Sequence, residues 1–86
     1  MAQKLEQGIS AGRQVRALRS PRRQEIVDAL ESAGPRSAPE LAALIGRAPD
    51  AMYFHLRALE RVGLLVRVGT RREGRHVSAV YDLPVR

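Results

Sequence analysis

The run Ala51-Met52-Tyr53-Phe54-His55-Leu56-Arg57-Ala58-Leu59-Glu60-Arg61-Val62, closed by Gly63, decides how the rest of the chain is read. Met52, Leu56 and Leu59 recur at i, i+4 and i+7, with His55 and Val62 alongside, the stripe of a helix packed on one side. Pro49 suits the first position of that helix, and Asp50 its first turn, where a negative charge meets the positive end of the helix dipole. The helix is expected over about residues 49–62. Its other face carries Asp50, Ala51, Tyr53, Phe54, Arg57 and Arg61. Two aromatics and two arginines therefore stand where the core periodicity does not want them.

Beyond Gly63 the period changes to two. Val66 and Val68 alternate with Arg67, and after Arg71-Arg72-Glu73-Gly74-Arg75 the residues Val77, Ala79, Tyr81 and Leu83 alternate with Ser78, Val80 and Asp82. This predicts a β-hairpin over about residues 65–83 with a basic tip, Gly69 bending its first strand and Gly74 supplying positive φ in the turn.

Upstream, Ser37-Ala38-Pro39-Glu40 reads as a capping box, with Leu41, Leu44 and Ile45 as the buried stripe of a short helix that Gly46 ends. Before it, Ser20 can cap a helix that Pro21 opens and Gly34-Pro35 stops. There Ile26, Leu30 and Ala33, widened by Val27, face inward, while Glu25, Asp28 and Glu31 face away. In residues 1–19, Leu5, Ile9, Val15 and Leu18 are roughly helix-spaced, but Gly8 and Gly12 each cost about 1 kcal/mol relative to Ala. A flexible segment over residues 1–11 and an extra short helix from about Gly12 to Arg19 are expected, with the folded domain over 12–84. The fold class is mainly α with a small β-hairpin (α+β), three core helices and the hairpin.

Composition bounds the function. Eighty-six residues suit a single domain with a small core, and 44% hydrophobic with 28% charged residues is a globular balance. The absence of cysteine excludes disulfides, thiolate-bound metal and thiol catalysis. Met1-Ala2-Gln3-Lys4-Leu5-Glu6 lacks an apolar signal core and no run approaches membrane-spanning length, so a soluble cytoplasmic protein without membrane partners is expected. No nucleophile–base pair, glycine-rich phosphate loop or metal-ligand spacing stands out, so neither an enzyme nor a cofactor is expected. His55 reads as a histidine packed beside the core stripe, and His76 flanks the hairpin tip.

The net charge is +6, and its distribution matters more than its size. Residues 20–46 hold three cations and four anions, whereas residues 47–75 hold seven cations and three anions. A near-neutral middle followed by a basic segment suits a polyanion binder; a merely solvated basic surface is the plainer alternative.

The order helix, helix, turn, helix, hairpin is that of a winged helix-turn-helix. From about Val15 to Leu83 the chain resembles the ArsR-like branch of bacterial transcriptional regulators. The likeness is carried by Val15-Arg16-Ala17-Leu18-Arg19-Ser20-Pro21-Arg22-Arg23-Gln24-Glu25-Ile26-Val27, by Glu40-Leu41-Ala42-Ala43-Leu44-Ile45-Gly46, by His55-Leu56-Arg57-Ala58-Leu59-Glu60-Arg61-Val62-Gly63-Leu64-Leu65, and by Arg72-Glu73-Gly74-Arg75 with Tyr81-Asp82-Leu83. Metal-sensing members place cysteines around the start of the helix that here begins at Ser37, and this chain has none. Many members continue past the hairpin into a dimerising helix. Here the sequence ends at Pro84-Val85-Arg86, which leaves dimer contacts to Leu5, Ile9, Val15 and Leu18. Small polar residues are frequent in the family's recognition helix where this chain has Ala51, Tyr53 and Phe54, so no base preference carries over.

The resemblance implies double-stranded DNA as partner, read by a homodimer. A recognition helix offers its outward, N-terminal residues to base edges, which here nominates Asp50, Ala51, Tyr53, Phe54 and Arg57. Arg36, Ser37, Arg61, Arg71, Arg72 and Arg75 are the expected backbone contacts. About five arginines on phosphates predict a slope of log affinity against log salt near −4 to −5. Each assignment has a plainer alternative: Ser37 as a helix cap only, Arg57 as a solvated cation, Tyr53 and Phe54 packed on the hairpin or a partner chain. The exposed aromatic pair also suits a protein-interaction module on the same scaffold.

Overall fold

The computed structural model describes residues 11–85. The expected flexible segment, and with it Leu5 and Ile9, lies outside these residues except for Ala11, which is helical. Helix α1 covers residues 11–17, followed by α2 (Pro21–Ala33), β1 (Arg36–Ser37), α3 (Ala38–Ile45), α4 (Pro49–Arg61), β2 (Val66–Glu73) and β3 (His76–Asp82).

The helix boundaries follow from local chemistry. The Ser20 side chain accepts from the Arg23 amide with Pro21 in the first turn, and Gly34 ends α2. At α3 the capping box is complete: the Ser37 hydroxyl accepts from the Glu40 amide, and a Glu40 carboxylate oxygen accepts from the Ser37 amide. Gly46 takes the left-handed conformation that lets the chain turn directly into α4. Helix α4 has no side-chain cap, only Pro49 and the carboxylate of Asp50 in its first turn.

Ile26 and Leu30 of α2, Leu41 of α3, Met52, Leu56 and Leu59 of α4, and Leu65 form the centre of the core, closed by Ala17 and Tyr81. Leu44 departs from expectation, being 56% exposed. The buried residues of α3 are Ala38, Leu41 and Ala42, with Ile45 packed beside them, a set spaced i, i+3, i+4, i+7. Leu44 lies about 60° or more around the helix from that stripe, which turns its side chain toward solvent.

The sheet has three strands in the order β1-β3-β2, all antiparallel. The two-residue strand β1 was not anticipated, because two residues carry no periodic signal. It pairs Arg36 with Tyr81 and Ser37 with Val80, which makes β3 the central strand. This accounts for the failure of simple alternation at the foot of β3, where Val80, Tyr81 and Asp82 are buried in succession. Val66 and Val68 do not form a buried face either; β2 is an edge strand and both are exposed. The ladder steps from Arg67↔Tyr81 to Gly69↔Val80, so Val68 is the extra residue of a bulge beside Gly69, the bend expected there. Glu73 pairs with His76 across a two-residue turn, and Gly74 takes φ of 63° at its first position, where a type II′ turn requires glycine.

Candidate nucleic-acid interface

Because Met52, Leu56 and Leu59 commit one side of α4 to the core, the other side is fixed by helix geometry. Asp50, Ala51, Tyr53, Phe54, Arg57 and Arg61 all stand exposed on it. Of these, Asp50, Tyr53, Phe54, Arg57 and Arg61 line an open groove of about 640 Å³, whose other wall is formed by Arg13, Arg16 and Ala17 of α1 with Arg23 of α2. Ala51 does not line the groove.

Phe54 is 70% exposed yet held in place. The Arg23 guanidinium lies 5.7 Å from its ring centroid, and the His55 ring meets it edge-on at 5.4 Å. Arg23 Nε also donates to His55 Nδ1 at 3.1 Å. Burial lowers the His55 pKa from 6.5, and the charges of Arg23 and Arg22 act in the same direction. The neutral imidazole is therefore the form that can accept from Arg23. An unfolded histidine protonates near 6.5 while the folded one resists, so stability is complete above that pH and declines as pH falls through the window below it. Urea unfolding midpoints should drop across that window, and His55→Asn, which keeps an acceptor and cannot titrate, should flatten the drop.

The hairpin is fastened at two heights. Near its base, Arg67 Nε donates to Glu60 Oε2 of α4 at 3.0 Å, and the Arg67 guanidinium lies 5.7 Å from the Tyr81 ring centroid. Nearer the tip, Glu73 Oε1 accepts from the Ser37 hydroxyl at 2.9 Å, and Arg71 pairs with Glu40. Burial alone would raise the Glu40 pKa, but the Ser37 amide and hydroxyl and the Arg71 charge outweigh it and hold the carboxyl below 4.5.

This arrangement corrects the reading of Ser37 as a phosphate contact. The residue is 0% exposed, and its hydroxyl is committed to the Glu40 amide and the Glu73 carboxylate. The hydroxyl joins the cap of α3 to the wing tip. Ser37→Ala should cost about 1–3 kcal/mol, since a helix amide and a partly buried carboxylate each lose a partner. The expected result is a lower urea midpoint at unchanged m value.

The other nominated backbone residues are dispersed. Arg72 and Arg75 are exposed at the tip, Arg71 shares itself with Glu40, and a partly buried Arg36 donates to its neighbour's carbonyl, Pro35 O, at 2.7 Å. Sequence reasoning overlooked Arg13, Arg16 and Arg23. For Arg13 and Arg16 a signal was present in the excess of cations over residues 1–19 and in their i, i+3 spacing, but nothing in the sequence showed where α1 would dock. Arg23 lies in the near-neutral segment, where no such signal exists. Among the described residues no cluster of three or more His, Asp or Glu side chains could hold a metal ion, and no helix is long and apolar enough to cross a membrane.

Two helices joined by a tight glycine turn, the second presenting a basic and aromatic face, and a hairpin fastened against both define a winged helix-turn-helix. A helix-turn-helix domain family matches residues 18–68. The chain is 28% identical to a homodimeric winged helix-turn-helix DNA-binding domain from Mycobacterium bovis, described as a possible ArsR-family transcriptional regulator; the match covers 96% of this chain and 71% of that one, with a TM-score of 0.74. It is 28% identical to the transcriptional regulator HlyU from Vibrio vulnificus over 96% of this chain and 82% of the other (TM-score 0.67). NolR from Sinorhizobium fredii is 25% identical over 98% and 78% respectively (TM-score 0.68). No curated protein gives a significant match. The chain belongs to the helix-turn-helix family, in the ArsR-like winged helix-turn-helix branch that the sequence motifs resemble.

Proposed function

We propose that this protein is a sequence-specific, double-stranded DNA-binding transcriptional regulator acting as a homodimer in the cytoplasm, without catalytic activity. The outward face of α4 carries the proposal: Tyr53, Phe54 and Arg57 stand exposed on a helix whose opposite side is locked in the core. The major groove admits one such helix. Arg57 is suited to guanine O6 and N7, Phe54 and Ala51 to a thymine methyl, Tyr53 to a phosphate or base acceptor, and Asp50 to a cytosine amine. Arg61 and the wing residues Arg72 and Arg75 are suited to the backbone, and Arg71 joins them by exchanging Glu40 for a phosphate.

The homodimeric Mycobacterium bovis relative supports a two-fold assembly, which would read half-sites about 34 Å apart. Of the two described residues expected at a dimer interface, Val15 on α1 is 61% exposed and open to a partner, whereas Leu18 is partly buried. The test is fluorescence anisotropy with a labelled duplex from upstream of the protein's own gene and with a scrambled duplex, each at low and physiological salt. Tighter binding to the native duplex that survives physiological salt is expected. Failure to bind either duplex at low salt would overturn the proposal.

A further inference from the structure

The groove beside α4 has a second wall that a helix and a wing alone do not use. We propose that α1 is a third DNA-contacting element, whose Arg13 and Arg16 hold phosphates of the backbone running along the groove beside α4. This rests on the DNA-binding reading above and adds to it a site on a different helix.

Three observations lead there. The first is placement. Helix α1 is docked rather than loose: Gln14 Nε2 donates to the Val62 carbonyl at the end of α4 at 2.9 Å, Gln24 of α2 donates to the Leu18 carbonyl, and Ala17 is 5% exposed within the core. Arg13, Arg16 and Ala17 are spaced i, i+3, i+4, so the contact that buries Ala17 also sets both arginines on the groove wall.

The second is charge. Five arginines, Arg13, Arg16, Arg23, Arg57 and Arg61, line the groove against one carboxylate, Asp50. Outside the groove, Arg22 pairs with Glu25, Arg67 with Glu60 and Arg71 with Glu40, while Arg19, Arg36, Arg47, Arg72 and Arg75 form no ion pair among the described residues. Arg13, Arg16, Arg57 and Arg61 have no ion-pair partner among the described residues. A concave surface lined by one sign of charge concentrates its field outward and attracts a polyanion.

The third is shape. The groove is open and extends from Asp50 in the first turn of α4 to Arg61 and Val62 at its end. Sites for small molecules enclose most of the ligand, whereas an open trough with cations along both walls accepts a continuous chain of phosphates.

The experiment compares the full chain with Arg13→Gln/Arg16→Gln, which keeps much of each side chain and removes the charge, and with Arg13→Lys/Arg16→Lys, which keeps the charge. Binding of a labelled mixed-sequence duplex is measured across a salt series, with circular dichroism and a thermal melt to verify that each variant folds. The glutamine variant should show a slope of log affinity against log salt shallower by about 1.8, from about 0.9 per phosphate contact. Its ratio of affinities for native and scrambled duplex should be unchanged, because phosphate contacts carry no sequence information. The lysine variant should retain most of the slope. A folded glutamine variant with the slope of the parent, in a protein whose binding still falls on replacing Arg71 and Arg72, would overturn the α1 site and leave the DNA reading standing. No binding of the parent chain to any duplex at low salt would overturn both.

Discussion

The variant Arg57→Ala/Arg71→Ala/Arg72→Ala is expected to lose about two to four orders of magnitude in affinity for duplex DNA, in two separable parts. Arg57 sits on the outward face of α4, and a lost bidentate base contact is worth about 1–3 kcal/mol of discrimination. Arg57→Ala alone should therefore compress the ratio between native and scrambled duplexes. Arg71 and Arg72 lie near the wing tip and should position without specifying. Their removal should weaken both duplexes alike and make the salt slope shallower by about 1.8. The fold should survive, because all three side chains are exposed and the Arg71–Glu40 pair is solvent-accessible on both sides, where an ion pair contributes little. Anisotropy at several salt concentrations separates the two parts. Unaltered discrimination in Arg57→Ala would remove this residue from the base-reading set. Full DNA affinity in the triple variant would mean that the duplex is held through residues other than Arg57, Arg71 and Arg72.

What could be read from the sequence divides along physical lines. Helices whose ends are set by side chains within a few residues were legible: Ser20 with Pro21, the reciprocal Ser37–Glu40 box, and Gly46 are local devices and occur where expected. The stripe of α4 was legible because three large apolar residues define it without ambiguity, and its inverse gave the outward face. Elements decided by distant partners were not. The strand β1 exists only because β3 offers it an edge, and that pairing buries Val80, Tyr81 and Asp82 together against the alternation of the sequence. Ser37 illustrates both cases. Its cap was visible, but the Glu73 carboxylate on its hydroxyl lies thirty-six residues away and withdraws it from solvent. The groove was half legible: α4 supplied its residues by periodicity, whereas Arg13, Arg16 and Arg23 reach it only through the docking of α1 and α2.

Leu56→Ala should be the most damaging single substitution considered for this fold. Leu56 is 0% exposed at the middle of α4, among a central core set that includes Ile26, Leu30, Leu41, Met52, Leu59 and Leu65. Truncating such a leucine costs about 2–5 kcal/mol, through lost burial and the cavity left behind. For an 86-residue chain, total stability is about 4–13 kcal/mol, so the loss takes a large share of it. The informative control is Leu44→Ala. Read from the sequence, Leu44 belongs to the buried stripe of α3 and would cost as much; at 56% exposure it should cost less than about 0.5 kcal/mol. Urea unfolding of the two variants side by side distinguishes the alternatives. Equal losses would mean that Leu44 is covered in solution, by a repositioned α3 or by a partner. A large loss at Leu56 alone would place the burden of stability on the same helix that carries Tyr53, Phe54 and Arg57. The outward residues can then vary without unfolding the domain, but their placement is set by the buried side of the same helix, which cannot be altered without unfolding it.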